Sequence, residues 1–542
     1  MGDIMRPVPF EELLTRIFDE YQQHHSIFGI PEQQFYSPAN QRRVSVFGES
    51  CATPIGPAAG PHTQLAQNII TAWLTGGRFI ELKTVQILDR LELEKPCIDA
   101  EDECFNTEWS TEFTLQKAWD EYLKAWFILH LLEEVFPFTP AKNGKSFIFN
   151  MSVGYNLEGI KQPPMQQFID NMMNAAGQPK FTQYRDTLNR WLHDDDFLTR
   201  LSLDDIRPRL ATLAERIPAK LVQGVTLSTM HGCPPDEIEA ICRYMLEEKQ
   251  LNTFVKLNPT LLGYPRVREI LDTCGFDYIG LNEESFEHDL KIGQALEMLT
   301  RLMALAKSKQ LGFGVKLTNT LGTVNNKGAL PGDEMYMSGR ALFPLSINVA
   351  ALLSREFDGK LPISYSGGAS QLNIRDIFET GIRPITMATD LLKPGGYLRL
   401  SQCMRELEQA DGWEMNQVDV KRLNALAEKA VSMEYTQKHW KPDDRIDVGE
   451  PLPLTDCYVA PCVSACAIKQ DIPEYIRLMG EQRYADALEL IYQRNALPAI
   501  TGHICDHQCQ YNCTRLDYDS ALNIRELKKI ALEKGWPEYQ RR

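Results

Sequence analysis

Thr53-Pro54-Ile55-Gly56-Pro57-Ala58-Ala59-Gly60-Pro61, followed by Gly77-Arg78-Phe79-Ile80-Glu81-Leu82-Lys83-Thr84-Val85, decides how the chain is read. The first stretch closes a strand with small residues, the composition needed where backbone must approach a flat ligand closely. The second is a strand that delivers a cation, Lys83, at its C-terminal end. Short apolar runs of the same kind recur at 146–151, 224–229, 253–257, 278–281, 312–317, 362–365 and 384–388. Between them lie helical patterns such as 236–249 and 290–309, where apolar side chains return every three or four residues. Strands alternating with helices predict a parallel sheet, and about eight such units predict a closed α/β barrel of the TIM type. The nine candidates at hand are one too many. Residues 99–145 and 157–220 read as long, charged, largely helical insertions outside the barrel.

Composition sets the frame for this fold. A chain of 542 residues is long enough for one large barrel with a smaller module. With 43% apolar and 24% charged residues, Gly 34 and Pro 31, it is neither disordered, collagen-like nor disulfide-stapled. A net charge of −16 repels phosphate backbones and anionic lipid, so nucleic acid and membrane surface are not the expected partners. The first residues carry no basic segment leading into an apolar run, and nowhere do about 18 apolar residues follow one another. The expected location is the cytoplasm, where 13 cysteines serve metal more readily than disulfides.

Those cysteines are unevenly placed: seven precede residue 456, and six fall between 457 and 513. Lys441-Pro442-Asp443-Asp444-Arg445 and Pro451-Leu452-Pro453 separate the two regions with a stretch unsuited to helix or central strand. The expected division is a barrel over 1–437, a linker over 438–455 and a small all-α domain over 456–542, with helices at 473–480, 484–494 and 524–534. Cys457-x4-Cys462-x3-Cys466 and Cys505-x3-Cys509-x3-Cys513 form two tight groups of thiols. Soft sulfur ligands on short spacers suit a compact iron–sulfur cubane whose sulfides accept backbone N–H bonds. Zinc is the other reading of the same thiols, with His503 and His507 at hand as further ligands.

Residues 455–535, with Ala496-Leu497-Pro498-Ala499-Ile500-Thr501-Gly502-His503-Ile504-Cys505 and Leu522-Asn523-Ile524-Arg525-Glu526-Leu527-Lys528, resemble the cluster domain of the glutamate synthase small subunit and dihydropyrimidine dehydrogenase. That resemblance implies one or two [4Fe–4S] clusters exchanging electrons with an adjacent FAD. It also implies an interleaved pattern, with Cys457, Cys462 and Cys513 on one cluster and Cys466, Cys505 and Cys509 on the other. The chain departs from the family in three places. Leu454 stands where the family has a further cysteine, Lys528 falls near its Gln or Glu ligand, and Ala467 replaces the usual proline.

The two opening stretches, with Ser338-Gly339-Arg340-Ala341-Leu342-Phe343-Pro344 and Ser364-Tyr365-Ser366-Gly367-Gly368-Ala369-Ser370, are similar to the flavin barrel of dihydroorotate dehydrogenase and dihydropyrimidine dehydrogenase. Gly-rich turns at strand ends can cradle a phosphate. By that resemblance Lys83, Thr84 and Asn156 meet FMN, and Ser338, Gly339, Gly367 and Gly368 hold its phosphate. The middle of the barrel admits two registers. In the first, Cys233 after the fourth strand is the acid, Lys256 is the fifth-strand lysine and Asn282 ends the sixth strand. In the second, Gly280–Ser285 is the fourth-strand motif with Ser285 as acid, and Lys316 is the fifth-strand lysine. The first leaves one surplus strand and none missing, and is preferred.

Barrel followed by cluster domain is also the order in bacterial proteins labelled selenate reductase subunits, which the whole chain resembles. The expected function is an oxidoreductase component. Electrons pass from NAD(P)H through FAD, on a missing domain or a partner, to the clusters and then to FMN, which reduces a small substrate, with heterocycles among the candidates. No strand–Gly-x-Gly-x-x-Gly–helix unit occurs in the chain itself. A non-catalytic electron-transfer and docking subunit with a flavin-free barrel is the rival reading, and a homo-oligomer is compatible with either.

Overall fold

The computed structural model describes residues 7–39, 42–87, 97–100, 103–107, 113–136, 145–200, 203–228, 232–326, 328, 330–440, 460–513, 515 and 521–542. They fall into two compact units, Met1–Trp440 and Lys441–Arg542.

Eight parallel strands run through the first unit: β1 (Ile55–Pro57), β2 (Phe79–Glu81), β3 (Ile148–Gly154), β4 (Val222–Ser228), β5 (Asn252–Leu257), β6 (Phe313–Leu317), β7 (Ile363–Tyr365) and β8 (Ile385–Met387). Hydrogen-bonded neighbours follow chain order from β2 to β8, and β8 pairs with β1. The amide of Arg78 donates to the carbonyl of Ile55 at 2.8 Å and closes the ring. Gly56 is the residue that permits closure, because a Cβ there would lie 1.8 Å from the Phe79 carbonyl oxygen.

Eight of the nine predicted strands are present. The ninth, 278–281, is not a strand: it lies in a loop between the helices Tyr264–Thr273 and Glu283–His288. Its apolar residues serve a different purpose, with Ile279 buried in a small second core and Tyr278 at the surface. Asn282 therefore ends no strand and Gly280–Ser285 is not a fourth-strand motif. Lys316 lies on β6, not β5. The preferred register stands for β4 and β5.

Helices fill the crossovers. Leu115–Val135 links β2 to β3 and is buried over nearly its whole length, with Thr114 capping its first turn. Pro163–Met173 and Pro179–Leu192 belong to the next crossover, each opening on proline, whose missing N–H is harmless there. These insertions lie outside the strands as expected, yet they are part of the main core and not loose additions. A four-stranded antiparallel sheet, in the order Leu321–Val324, Glu334–Ser338, Cys104–Asn106, Ile98–Asp99, was not predicted. It packs Phe105, Met335 and Met337 into the second core with Val267, Ile270 and Leu345.

The second unit is helical: Ile472–Gly480, Tyr484–Tyr492, Pro498–Ile504, Gln508–Tyr511 and Ile524–Tyr539 enclose a small core. Asp471 accepts from the Glu474 amide and starts the first of these. Gly535 lets the last helix lie against Tyr484, whose carbonyl oxygen would be 2.3 Å from a Cβ. Of the predicted linker, residues 441–455 lie outside the described residues, while 438–440 form a short 3-10 turn. Among the described residues no helix is long and apolar enough to cross a membrane.

Candidate active site and cluster site

One interior layer of the barrel is ionic where such layers are ordinarily branched and aliphatic. It draws one residue from each even-numbered strand: Glu81, Thr226, Lys316 and Thr386. Lys316 Nζ lies 2.6 Å from Glu81 Oε2 and donates to Thr386 Oγ1 at 2.6 Å. Thr226 and Thr386 each donate to Glu81, at 3.2 and 3.1 Å, so both carboxylate oxygens are engaged. Burying this pair is tolerable only because every member is satisfied.

Lys256 stands beside Lys316 in the β5–β6 register, but its ammonium has no hydrogen-bond partner among the described residues. Burial, reinforced by the Lys316 charge and opposed by Glu81, lowers its ammonium from 10.5 to about 8. It lines a cavity of about 510 Å³ at the C-terminal mouth of the barrel. Lys83 and Thr84, just past β2, line it as well, as do Asn282 and Ser285. Five of the predicted residues thus meet in one place.

Others do not. Asn156 caps the helix Leu157–Ile160, its Oδ1 accepting from the Gly159 amide at 2.8 Å. Cys233 does not line the cavity, although the preceding Gly232 does. Its thiol packs against the main core, and burial pushes it up to about 11. Ser338, Gly339, Gly367 and Gly368 form a separate corner. Ser338 Oγ donates to the Cys104 carbonyl at 3.1 Å and shares a 2.8 Å hydrogen bond with Thr389. Gly339 and Gly368 both have positive φ, and a Cβ on Gly368 would lie 2.3 Å from the Gly339 carbonyl oxygen. Among the described residues the amides of Gly367 and Gly368 donate no backbone hydrogen bond, so the corner offers N–H groups to an anion.

Several cavity residues carried no signal in the sequence. Asp289, buried, accepts from the Gly232 amide at 2.6 Å, Thr260 Oγ1 at 2.8 Å and Asn258 Nδ2 at 3.2 Å. It holds the loop after β4 against the loop after β5. Tyr155 lines the cavity with φ of 87°, a strained backbone for a bulky residue. Asn106, Glu334 and Tyr336 reach the mouth from the antiparallel sheet.

In the second unit Cys462, Cys466 and Cys509 belong to the small core, and Cys505 and Cys513 flank the helix Gln508–Tyr511. Cys457 lies outside the described residues. Burial pushes the Cys462 and Cys509 thiols up to about 11, with neighbouring cysteines adding to it: Cys513 and Cys466 around Cys462, and Cys466, Cys505 and Cys462 around Cys509. Among the described residues no three His, Cys, Asp or Glu side chains converge on the position of a single metal ion. The histidines of the zinc reading are placed elsewhere: His503 is exposed, and His507 Nδ1 lies 3.1 Å from the Arg525 guanidinium. An all-sulfur donor set in two groups fits iron–sulfur clusters.

Comparison with known proteins agrees with both units. The family described as "Oxidoreductase YgfK, N-terminal TIM-barrel domain" matches residues 28–438, and "Dihydropyrimidine dehydrogenase domain II, 4Fe-4S cluster" matches residues 453–539. The chain is 83% identical over its whole length to the Escherichia coli K12 protein named "Putative oxidoreductase YgfK", of which it covers 52%. It thus spans about half the length of the curated relatives it matches in full. The tail is 37% identical over 81 residues to the NADPH-Fe(3+) oxidoreductase subunit beta of Geobacter sulfurreducens, covering 15% of this chain and 12% of that one. A ligand-free dihydroorotate dehydrogenase of Eimeria tenella overlays at a TM-score of 0.39 and 15% identity, over 75% of this chain and 97% of that one. With the first match running through three quarters of its residues, the chain belongs to the YgfK oxidoreductase family, a TIM barrel joined to a 4Fe–4S domain.

Proposed function

We propose that the chain is the substrate-reducing and electron-relaying part of a flavin-dependent oxidoreductase. FMN would be held at the barrel mouth, and the tail's clusters would link it to an FAD and NAD(P)H module on a partner or a further stretch of chain. The observation that carries this reading is the mouth cavity, which Lys83 and Lys256 both line; the separate glycine corner adds amides that donate no backbone hydrogen bond among the described residues. The residues present fit the group: cations for its carbonyl edge, free N–H groups for its phosphate. Bound there, FMN supplies a hydride donor.

The chain's own residues do the rest. Lys256, charged below about pH 8, offers its ammonium to an anionic or carbonyl edge. Lys316, committed to Glu81, contributes only its field. Asp289 fixes the β4 loop that leads into Cys233. Cys233, in the loop after β4 and off the cavity wall, is assigned as the acid; burial pushes its thiol up to about 11, so it stays protonated at neutral pH and is not poised as a nucleophile. The substrate class is a small molecule with a polarised C=C or C=N bond, one atom of which would take the flavin's hydride while the acid gives the proton to the other. Ser285 is the second assignment for the acid, favoured by its place on the cavity wall.

Flavin extraction from the anaerobically purified chain, with Lys83→Met and Lys256→Met beside it, tests the reading. One FMN per chain in the wild type and on the order of tenfold weaker retention in the variants is expected. A barrel that takes up no FMN identifies a docking subunit. With a substrate found by anaerobic reoxidation of the reduced flavin, Cys233→Ala lowers turnover roughly 10²–10⁴-fold and Ser285→Ala does so by less than about tenfold. The reverse order moves the acid to Ser285.

A further inference from the structure

We infer that the cluster held by Cys466, Cys505 and Cys509 has no protein ligand on one of its irons, and that Lys528 occupies that corner as a cation beside the Cys505 sulfur. The inference rests on the iron–sulfur reading of the tail and deepens it.

Lys528, on the helix Ile524–Tyr539, is 6% exposed. Its Nζ lies 3.6 Å from Cys505 Sγ, and no carboxylate pairs with it among the described residues. A buried lysine needs a compensating negative charge. Among the described residues the compensation within reach is cysteine sulfur, at Cys505. An ammonium has no lone pair to give to iron, so it donates N–H to the sulfur instead. Three thiolates cannot cover the four irons of a cubane. The imidazole of His507 has its Nδ1 3.1 Å from the Arg525 guanidinium, and Gln510 Oε1 accepts from the Arg525 amide at 3.1 Å. Among the described residues no further side chain is placed to cover the remaining iron, which is left to water or an added thiolate, and the N–H···S contact raises the cluster's potential.

An iron without a protein ligand is the one lost on oxidation. Ferricyanide takes one electron from [4Fe–4S]²⁺, and the resulting 3+ cluster releases Fe²⁺ to leave [3Fe–4S]⁺. The test uses the full chain, purified anaerobically and assayed first for iron and acid-labile sulfide. It is then titrated with ferricyanide and followed by low-temperature electron paramagnetic resonance. The wild type is expected to give the three-iron signal, reversed by ferrous iron and dithionite. Lys528→Gln, which brings a carbonyl oxygen to the corner, lowers that signal by about half, since the group Cys457, Cys462 and Cys513 is untouched. Lys528→Met leaves it unchanged. A full complement of iron and sulfide with no three-iron signal overturns the inference. So does a signal unchanged by Lys528→Gln, or one raised by Lys528→Met, which would make the lysine itself a ligand. Material with no labile sulfide overturns the cluster reading and this inference with it.

Discussion

Lys256 and Lys316 are neighbours in register, but only Lys316 is tied to a carboxylate. Removing one partner of that tie leaves an uncompensated buried charge, whereas removing both leaves none. Glu81→Gln is therefore expected to destabilise the barrel by about 3–5 kcal/mol, and Glu81→Leu combined with Lys316→Met to recover most of it. Urea unfolding of the two variants checks this; equal losses would mean the layer acts through packing alone. Lys256 behaves in the opposite sense. An unfolded lysine holds its proton to about 10.5 and the folded one only to about 8, so between those values the unfolded chain binds the extra proton and stability rises with pH. Below about 8 the desolvated charge destabilises in full. Lys256→Met is thus expected to unfold at higher urea than the wild type at pH 7, with the gap narrowing toward pH 10. Binding of an anionic ligand to the wild type weakens above about pH 8. A gap that widens with pH would contradict the assignment.

At the scale of elements, the glycine corner is where backbone meets backbone. Gly368→Ala asks a Cβ to sit 2.3 Å from the Gly339 carbonyl oxygen at a φ of 71°. FMN retention is expected to fall on the order of tenfold while far-UV circular dichroism keeps its barrel signature. Unchanged retention would place the phosphate elsewhere. Strands β1 to β8 were legible because each is a short apolar run between helices whose period is 3.6. The run 278–281 has the same look, and only its position above a second core, with Tyr278 exposed, makes it a loop. The antiparallel sheet was illegible for the converse reason: its strands are two to five residues long, and Cys104–Asn106 finds its partner at Tyr336 to Ser338. Lys83, Lys256 and the cysteines announce themselves by residue type and spacing. Asp289, Asn106 and Thr389 act through contacts between distant parts of the chain, which no local pattern carries.

On the scale of the molecule, a redox barrel and a cluster domain on one chain make a relay only if each holds its group. The proposed flavin rests on the barrel's cations and amides, and the tail belongs to a 4Fe–4S domain family. The most direct measurement is an anaerobic absorption spectrum of the purified chain with iron, acid-labile sulfide, zinc and flavin determined on the same sample. The account predicts a brown protein with labile sulfide matching its iron, about one FMN per chain and no stoichiometric zinc. A colourless protein carrying zinc and no labile sulfide would contradict it.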